Sequence, residues 1–374
     1  MVRADRPHFK ALTDPAAHTP LVNRATRGLY APGSAFKLIT SLAMVNTGTR
    51  GAYMPYTDTD CYERPGLPKK CSPGGAGRVD LQGAITKSAD VYFYSVGDEL
   101  WRRWKNGDND AGYAIQTAAR QFGFGQKTGI DIGESAGTVP DAAWKIKIAK
   151  AIYKTQEQQD LYNKWNPGDN ISLAVGQGDL LVSPLQLANA YSALANGGTV
   201  WKPRLVGAIT DSNGKPVAGA PVPTANAHVE IPKDVRDVLM RGFAGVTTNP
   251  SGTAYLAFNG LSSDVGTVYG KTGTAQRGNP KTIATDGCVK QTGTTSFNVE
   301  KCIGDTSWFV SMYAPKGTDQ DRPRYVVLAM VEEGGRGGRI AAPIVRQIVE
   351  HMSHQAITPI PQLVSGNVIG GLKG

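Results

Sequence analysis

The fold is most readily derived from one part of the sequence, Pro32-Gly-Ser-Ala-Phe-Lys-Leu-Ile-Thr-Ser-Leu-Ala-Met-Val45. Apolar residues recur at positions 35, 38, 39, 42 and 45, which is the spacing of one helix face, and the Pro-Gly pair marks the point of entry. The pattern predicts a buried helix that Ser34 opens. Because residues three apart share a helix face, the Lys37 ammonium can reach the Ser34 hydroxyl, and the helix N-terminus adds positive potential there.

The pair Ser34 and Lys37 has the residue types of a nucleophile and its base. A lysine is a base only when neutral, so this interpretation requires Lys37 to be buried and to lie near a second cation, which Lys271 would supply. Serine and lysine are common residues, so an isolated S-x-x-K pattern is also compatible with chance. Two further strings in the sequence argue against chance, Ser88-Ala-Asp90 and Lys271-Thr-Gly-Thr274.

Ser88 carries a hydroxyl that can pass a proton between Lys37, Lys271 and a departing amine. Its alternative role is that of a helix cap, which is a common use of serine. Asp90 is harder to assign, because an ionised carboxylate cannot donate a hydrogen bond to a substrate.

The Lys271-Thr-Gly-Thr274 string is predicted to lie on a strand. Alternation then directs Lys271 and Gly273 to one face and Thr272 and Thr274 to the other. Gly273 would let a substrate backbone approach closely. Taken alone, the string is equally compatible with a surface strand or a turn.

The rest of the chain predicts an α+β protein. The expected helices lie at 81–104, 111–121, 183–195, 233–246 and 341–354, and the expected strands at 199–202, 266–274, 305–313 and 324–332. Residues 1–23 are predicted to be a linker or the remnant of an upstream region, 24–355 the folded domain, and 356–374 a polar tail.

Composition narrows the class of protein. The 374 residues carry a formal net charge of +9, but the basic residues are scattered and no nucleic-acid motif is present, so no nucleic-acid partner is expected. An anionic cell envelope suits the charge equally well. No stretch approaches the roughly 20 apolar residues of a membrane helix.

Four cysteines stand at positions 61, 71, 288 and 302. The short loops favour disulfides Cys61–Cys71 and Cys288–Cys302 among three possible connectivities. Zinc and free thiols remain as alternatives, although the sequence lacks the C-x-x-C step that metal sites usually contain, and no metal is predicted. Paired cystines would place the domain outside the cytoplasm.

The three strings occur in the order S-x-x-K, S-x-N/D, K-T-G of penicillin-recognising enzymes. The chain therefore resembles the transpeptidase domain of class B penicillin-binding proteins over about residues 23–354. Further similar stretches are Asn23–Gly33, Thr128–Glu134, Gly137–Pro140, Gly168–Gly178, Ser183–Ala188 and Trp308–Phe309. Within the family, Ser88–Tyr94 looks closest to the elongation-type subclass, penicillin-binding protein 2.

The resemblance implies a penicillin-binding and serine β-lactamase-like fold, with a central antiparallel sheet flanked by helices and an all-helical subdomain. It implies D,D-transpeptidase activity without a cofactor. Ser34 would attack the bond between two terminal D-alanines of a peptidoglycan stem peptide, neutral Lys37 would accept its proton, and Ser88 and Lys271 would return it to the leaving amine.

The resemblance also assigns substrate contacts. Thr272 and Thr274 would hold the substrate carboxylate, and the backbone N–H groups of Ser34 and Thr274 would stabilise the oxyanion. Family members commonly carry asparagine at the position of Asp90, so the contact of Asp90 with substrate is left open.

The partners implied are stem peptides ending in D-Ala-D-Ala, β-lactam antibiotics and, for a full-length protein, a SEDS-family glycan polymerase. Family members carry an N-terminal membrane helix and a pedestal domain that this chain lacks. The expected location is therefore the extracytoplasmic face of the bacterial cell membrane. Two alternatives are a serine β-lactamase, which needs a deacylating base, and a penicillin sensor that is acylated without transferring the acyl group.

Overall fold

The computed structural model describes residues 21–72, 74–217, 222–276 and 305–358, and the backbone alone at 288–289 and 301–302. The predicted linker up to residue 20 and the tail beyond residue 358 lie outside the described residues, so the domain boundaries stay predictions.

The central sheet has three described antiparallel strands. Thr306–Pro315 lies in the middle, between Gly266–Ala275 and Tyr325–Val331. Gly273 pairs with Trp308 and Lys271 pairs with Val310. The three long strands predicted from sequence are confirmed to within two residues.

The middle strand is buried on both faces, and its side chains alternate between two cores. Trp308, Val310 and Met312 join the larger core, which includes the helices on that side. Phe309 and Tyr313 join a smaller core with the C-terminal helix Ala341–Met352. Each such burial contributes on the order of 1.5–3 kcal/mol, so the strand is fixed between two layers of helices.

The segment around Ser34 begins as a 3-10 turn. Gly33–Phe36 forms this turn, and the α-helix runs from Lys37 to Asn46. Ser34 therefore lies in the opening helical turn, as predicted, and the α-helical part begins one turn later, at Lys37. The predicted burial is confirmed, because every residue of Lys37–Met44 is buried.

The predicted helix at 81–104 is two helices, Leu81–Thr86 and Asp90–Lys105. The break falls at Ser88, whose φ of +56° is left-handed and incompatible with a continuous helix. Ala89 is the N-cap of the second helix, so Ser88 does not cap that helix. Ser88 instead ends the first helix as its left-handed residue, because its N–H donates to the Ile85 carbonyl oxygen at 3.2 Å and Ala89 N–H donates to the Ala84 carbonyl oxygen at 2.9 Å.

The remaining predicted helices are present, with boundaries that differ by a few residues. Pro184–Asn196 shows the expected signals: Pro184 stands in its first turn, Ser183 and Gln186 form a capping box, and Gly197 ends it at a φ of +88°. The other described helices are Arg24–Arg27, Ala114–Gln121, Ala142–Ile152, Gln156–Tyr162, Pro167–Ala174, Lys233–Thr248 and Tyr255–Phe258.

The minor strands form two-stranded pairs. Tyr56–Asp58 pairs with Gly77–Val79, Cys61–Tyr62 with Lys70–Cys71, and Thr199–Trp201 with Ala225–His228. Within residues 21–72, 74–217, 222–276 and 305–358, no helix has the length and apolar character needed to cross a bilayer.

The structure joins Cys61 and Cys71 by a disulfide. It closes the hairpin of Cys61–Tyr62 and Lys70–Cys71. The backbones of Cys288–Val289 and Lys301–Cys302 pair with Cys288 opposite Cys302. The side chains of that second pair lie outside the described residues, so a disulfide between them stays a prediction.

Candidate active site

The three sequence strings meet at the hydroxyl of Ser88. Ser88 Oγ accepts hydrogen bonds from Lys37 Nζ at 3.1 Å and from Lys271 Nζ at 2.8 Å. Ser34 is next to this group, because its Oγ donates to Asp90 Oδ1 at 3.5 Å and Lys37 Nζ donates to the same oxygen at 2.5 Å. A helix, an interhelical turn and a strand thus contribute one side chain or more each to a single cluster.

The turn that carries Ser34 packs directly on the Lys271-Thr-Gly-Thr274 strand. Gly33 has a φ of +54°, and a Cβ there would stand 2.6 Å from the Thr274 carbonyl oxygen. Gly33 N donates to Gly176 O at 3.0 Å, and Gly176 in turn has no room for a side chain against Gly33. Only glycine fits such close backbone contacts, so these residues fix the distance of Ser34 from the strand.

The structure explains why residue 273 is a glycine, and this explanation was not predicted from the sequence. A Cβ on Gly273 would lie 2.6 Å from the carbonyl oxygen of Pro32. The backbone that approaches Gly273 closely is therefore the chain's own, just before Ser34. Approach of a substrate backbone to this residue stays a prediction.

Lys37 is fully buried. Its Nζ donates to the Ser88 carbonyl oxygen at 2.7 Å, as well as to Ser88 Oγ and Asp90 Oδ1, and it lies 5.2 Å from the centre of the Phe93 ring. Burial lowers the pKa of Lys37, and the carboxylate of Asp90 opposes this effect without cancelling it.

Lys271 is also fully buried, but it has no carboxylate within hydrogen-bonding distance among the described residues. Its Nζ donates to Ser88 Oγ and, at 3.2 Å, to the Thr272 carbonyl oxygen. Burial, with the added repulsion of Lys37, holds the pKa of Lys271 well below its usual range. The sequence analysis predicted that Lys37 is the neutral amine. In the structure the pKa of both lysines is lowered by burial. Of the two, Lys37 alone is hydrogen-bonded to a described carboxylate, which partly opposes the effect of burial on its pKa.

Asp90 connects the cluster to the adjoining loop. Its Oδ1 accepts from Lys37 and Ser34, and its Oδ2 accepts from Ser72 Oγ at 3.2 Å. Burial raises the pKa of Asp90, but the charge and hydrogen bond of Lys37 outweigh burial, so the pKa is lowered and Asp90 is ionised at neutral pH. The described hydrogen bonds of Ser34 Oγ do not include one to Lys37, and the two side chains meet on Asp90 Oδ1 instead.

The backbone of Ser88 is strained. A φ of +56° is uncommon for a serine, and a residue in this region costs on the order of 1–3 kcal/mol. The conformation directs both the carbonyl oxygen and the hydroxyl of Ser88 at Lys37 Nζ. The strain therefore coincides with the group that links the two lysines.

The two threonines lie as the alternation of a strand requires. Thr272 Oγ1 shares a hydrogen bond with Thr253 Oγ1 at 2.7 Å, and Thr274 Oγ1 accepts from Gly337 N at 3.3 Å, whereas Lys271 faces Ser88. Thr272 is buried and Thr274 is half-buried. Their contact with a substrate carboxylate, and the oxyanion contacts of Ser34 N and Thr274 N, stay predictions.

Three residues at the site were not singled out from sequence. Ser72 binds Asp90, Gln177 Nε2 donates to the Thr274 carbonyl oxygen at 3.2 Å, and Asp58 lies buried beside Asp90. Gln177 falls within the Gly168–Gly178 string that resembled the family, so a signal for it existed. Ser72 and Asp58 belong to residues 50–80, here named the disulfide loop because this segment contains the Cys61–Cys71 bond. The segment has little periodicity from which a position could be predicted.

The role of Asp90 can be tested through the pH dependence of acylation. Replacing Asp90 by asparagine removes the charge that stabilises the Lys37 ammonium, so the pKa of Lys37 falls further. If neutral Lys37 is needed to acylate Ser34, the acid limb of the profile of acylation rate against pH moves to lower pH in Asp90→Asn. Stopped-flow labelling with a fluorescent penicillin measures it.

Ser72→Ala provides a graded control, because it removes a hydrogen bond from Asp90 but leaves the charge in place. We expect a smaller displacement of the acid limb in this variant. An Asp90→Asn profile that stays in place, or moves to higher pH, would contradict the assignment of Asp90 as the group that holds the proton on Lys37.

The sheet, the helices and the clustered serines and lysines define the class of penicillin-binding and serine β-lactamase-like proteins. The family described as "Penicillin binding protein transpeptidase domain" matches residues 3–350, and the chain belongs to this family. This confirms the family and fold predicted from the sequence.

Individual relatives support the predicted subclass. The chain is 30% identical over 372 residues to the peptidoglycan D,D-transpeptidase MrdA of Haemophilus influenzae, covering 96% of this chain and 49% of the relative. The chain thus spans about half the length of the curated relatives it matches.

Solved structures show the same similarity. Penicillin-binding protein 2 of Pseudomonas aeruginosa, in complex with WCK 5153, is 28% identical with a TM-score of 0.68, over 92% of this chain and 66% of that one. Penicillin-binding protein 2 of Helicobacter pylori, in complex with MreC, is 25% identical with a TM-score of 0.66, over 93% and 53%. The similarity to penicillin-binding protein 2 predicted from Ser88–Tyr94 is confirmed.

Proposed function

We propose that this chain is the catalytic domain of a peptidoglycan D,D-transpeptidase. The observation that carries the proposal is the single hydroxyl of Ser88 between two fully buried lysines, one from each of the flanking strings, beside Ser34. Such an arrangement can take a proton from a serine and return it to an amine. The relatives of this chain that are named peptidoglycan D,D-transpeptidases support the choice of reaction.

In the proposed reaction Ser34 Oγ attacks the carbonyl carbon between the two terminal D-alanines of a stem peptide. The C–N bond breaks, an ester forms on Ser34, and D-alanine leaves with the proton that Ser34 lost. Lys37 accepts that proton, and Ser88 and Lys271 pass it to the leaving nitrogen. An amine of a second stem peptide then takes the acyl group.

The proposal also covers contacts with the substrate, with antibiotics and with a partner protein. The backbone N–H groups of Ser34 and Thr274 form the oxyanion hole, Thr272 and Thr274 bind the terminal carboxylate, and β-lactams acylate Ser34. The full-length protein acts on the extracytoplasmic face of the cell membrane with a SEDS-family glycan polymerase. The complex of the H. pylori relative with MreC supports the view that such proteins work in assemblies.

The test is a transfer assay with this chain, a donor peptide that ends in D-Ala-D-Ala, and an amine acceptor. We expect free D-alanine and an amide product, both abolished by prior treatment with penicillin. Acylation by penicillin without transfer would instead identify a sensor. Rapid release of hydrolysed penicillin would identify a β-lactamase, and either result overturns the proposal.

A further inference from the structure

A cavity of about 310 Å³ lies against Ser88 and Asp90, on the side of the disulfide loop. Asp58, Ser72, Gly74 and Gly75 form its other wall. Because Asp90 lines the cavity and also accepts a hydrogen bond from Ser34 Oγ, the cavity adjoins the reacting serine. A group held in it would lie beside an ester formed on Ser34.

The cavity contains a buried acid, Asp58, one of whose oxygens has no hydrogen-bond partner among the described residues. Asp58 is 4% exposed, and the oxygen without a partner is its buried Oδ1. A carboxylate oxygen in this state costs free energy unless a ligand supplies a donor or a positive charge. Asp90 differs, because both of its oxygens are already bonded, to Lys37, Ser34 and Ser72.

The loop holds Asp58 in this position by its own pairing. Asp58 ends the strand Tyr56–Asp58 and pairs with Gly77, and Ser72 N donates to Asp60 O at 2.7 Å. Lys87 is the one lysine among the described residues that line the cavity, and its Nζ donates a hydrogen bond to the Ala76 carbonyl oxygen. No described cation is hydrogen-bonded to Asp58 Oδ1, and Lys37 acts on Asp58 only through its charge.

We propose that this cavity is the acceptor subsite and that Asp58 binds the ammonium of the acceptor peptide. The inference rests on the proposed transpeptidase function and names the chemistry of its second substrate: a primary amine that arrives protonated. Two carboxylates, Asp58 and Asp90, then attract that cation to the side of Ser34.

In the transfer step the amine nitrogen forms a C–N bond to the acyl carbon, and the bond from that carbon to Ser34 Oγ breaks. Of the three ammonium protons, one stays on the new amide, one ends on Ser34 Oγ, and the third goes to solvent. Asp58 is a positioning residue in this step, because it binds the acceptor and touches no reacting bond.

Partition of the acyl-enzyme tests the proposal. The donor is a depsipeptide ending in D-Ala-D-lactate, and the acceptors are Nα-acetyl-lysine, whose ε-amine is charged at neutral pH, and hydroxylamine, which is neutral. We expect Asp58→Asn to lower the ratio of amide to acid product with Nα-acetyl-lysine about tenfold. The ratio of hydroxamate to acid should stay unchanged, and the acid limb of penicillin acylation should move to lower pH by less than in Asp90→Asn, because Asp58 raises the pKa of Lys37 less than Asp90 does.

Asp60→Asn is the matched control, because Asp60 is an exposed carboxylate two residues away in the same loop. It should leave both ratios unchanged. If Asp58→Asn alters neither ratio, or lowers both equally, the proposal is overturned. Loss of amide formation on treatment of the wild-type chain with a chelator would also overturn it, since Asp58 would then hold a metal ion.

Failure of the proposed function has a different signature. Wild-type chain that releases no D-lactate and is not labelled by penicillin would refute Ser34 acylation itself. Normal release and labelling with an unchanged partition in Asp58→Asn would refute the acceptor subsite alone.

Discussion

Labelling by a fluorescent penicillin should disappear in Ser34→Ala. Oγ of Ser34 is the atom that would form the ester, and the close contact of Gly33 with Gly176 fixes the backbone that carries it. We expect the acylation rate to fall by about 10³-fold or more, to below detection. Gel fluorescence and intact-mass measurement of the adduct provide the readout.

Ser41→Ala is the control for this loss. Ser41 lies on the buried α-helix Lys37–Asn46 that follows the turn of Ser34, but its Oγ donates only to the Lys37 carbonyl oxygen among the described residues, at 2.7 Å. This variant should be labelled at close to the wild-type rate. An adduct of unchanged mass in Ser34→Ala would show that another residue is the nucleophile.

The strand Thr306–Pro315 and the helix Pro184–Asn196 show which elements can be predicted from the sequence. Both have strong local signals, namely continuous apolar character in one and cap residues with proline in the other, and both were predicted to within two residues. The segments Ala142–Ile152 and Gln156–Tyr162 were missed. Few of their residues are buried, so the contrast between apolar and polar faces that periodicity requires is weak.

The site shows a similar division. The order of the three strings predicted that Ser34, Lys37, Ser88 and Lys271 form one site. The structure places these four residues in one cluster. The contact of Asp90 with Lys37 was not predicted, because it depends on a left-handed turn at Ser88 that interrupts an otherwise helical pattern.

Long-range contacts account for the rest of what the sequence could not reveal. The cavity beside Asp90 is formed by Asp58 and Ser72, which precede it by 32 and 18 positions in a loop without periodicity. The glycines Gly33 and Gly273 are explained by carbonyl groups of Thr274 and Pro32, distant in sequence but close in the fold. Spacing along the chain carries no information about such backbone contacts.

Replacing Lys37 should slow acylation by about 10³-fold and remove its main dependence on pH. The wild-type rate should rise with pH as the base loses its proton, because a lysine accepts the proton of Ser34 only when neutral. In Lys37→Ala that rise should be absent. Rates of penicillin labelling across the pH range, measured by stopped flow, provide the comparison.

A structural effect of the substitution must be separated from a chemical one. Lys37 is fully buried and bonded to Asp90, so Lys37→Ala leaves space and removes the carboxylate's ion pair. The double variant Lys37→Met with Asp90→Asn fills the space and removes the carboxylate charge as well. If it unfolds at a temperature close to that of the wild type and still shows the slow, flat profile, the loss belongs to the base.

Lys87→Met controls for the loss of a positive charge near the site. Lys87 directly precedes Ser88, but it is exposed, and its Nζ donates to the Ala76 carbonyl oxygen at 2.9 Å. Its profile should match that of the wild type. A Lys37→Ala profile that keeps its ionisation would assign the base to another group, and Lys271 is then the candidate, because its pKa is held well below the usual range and it shares the Ser88 hydroxyl.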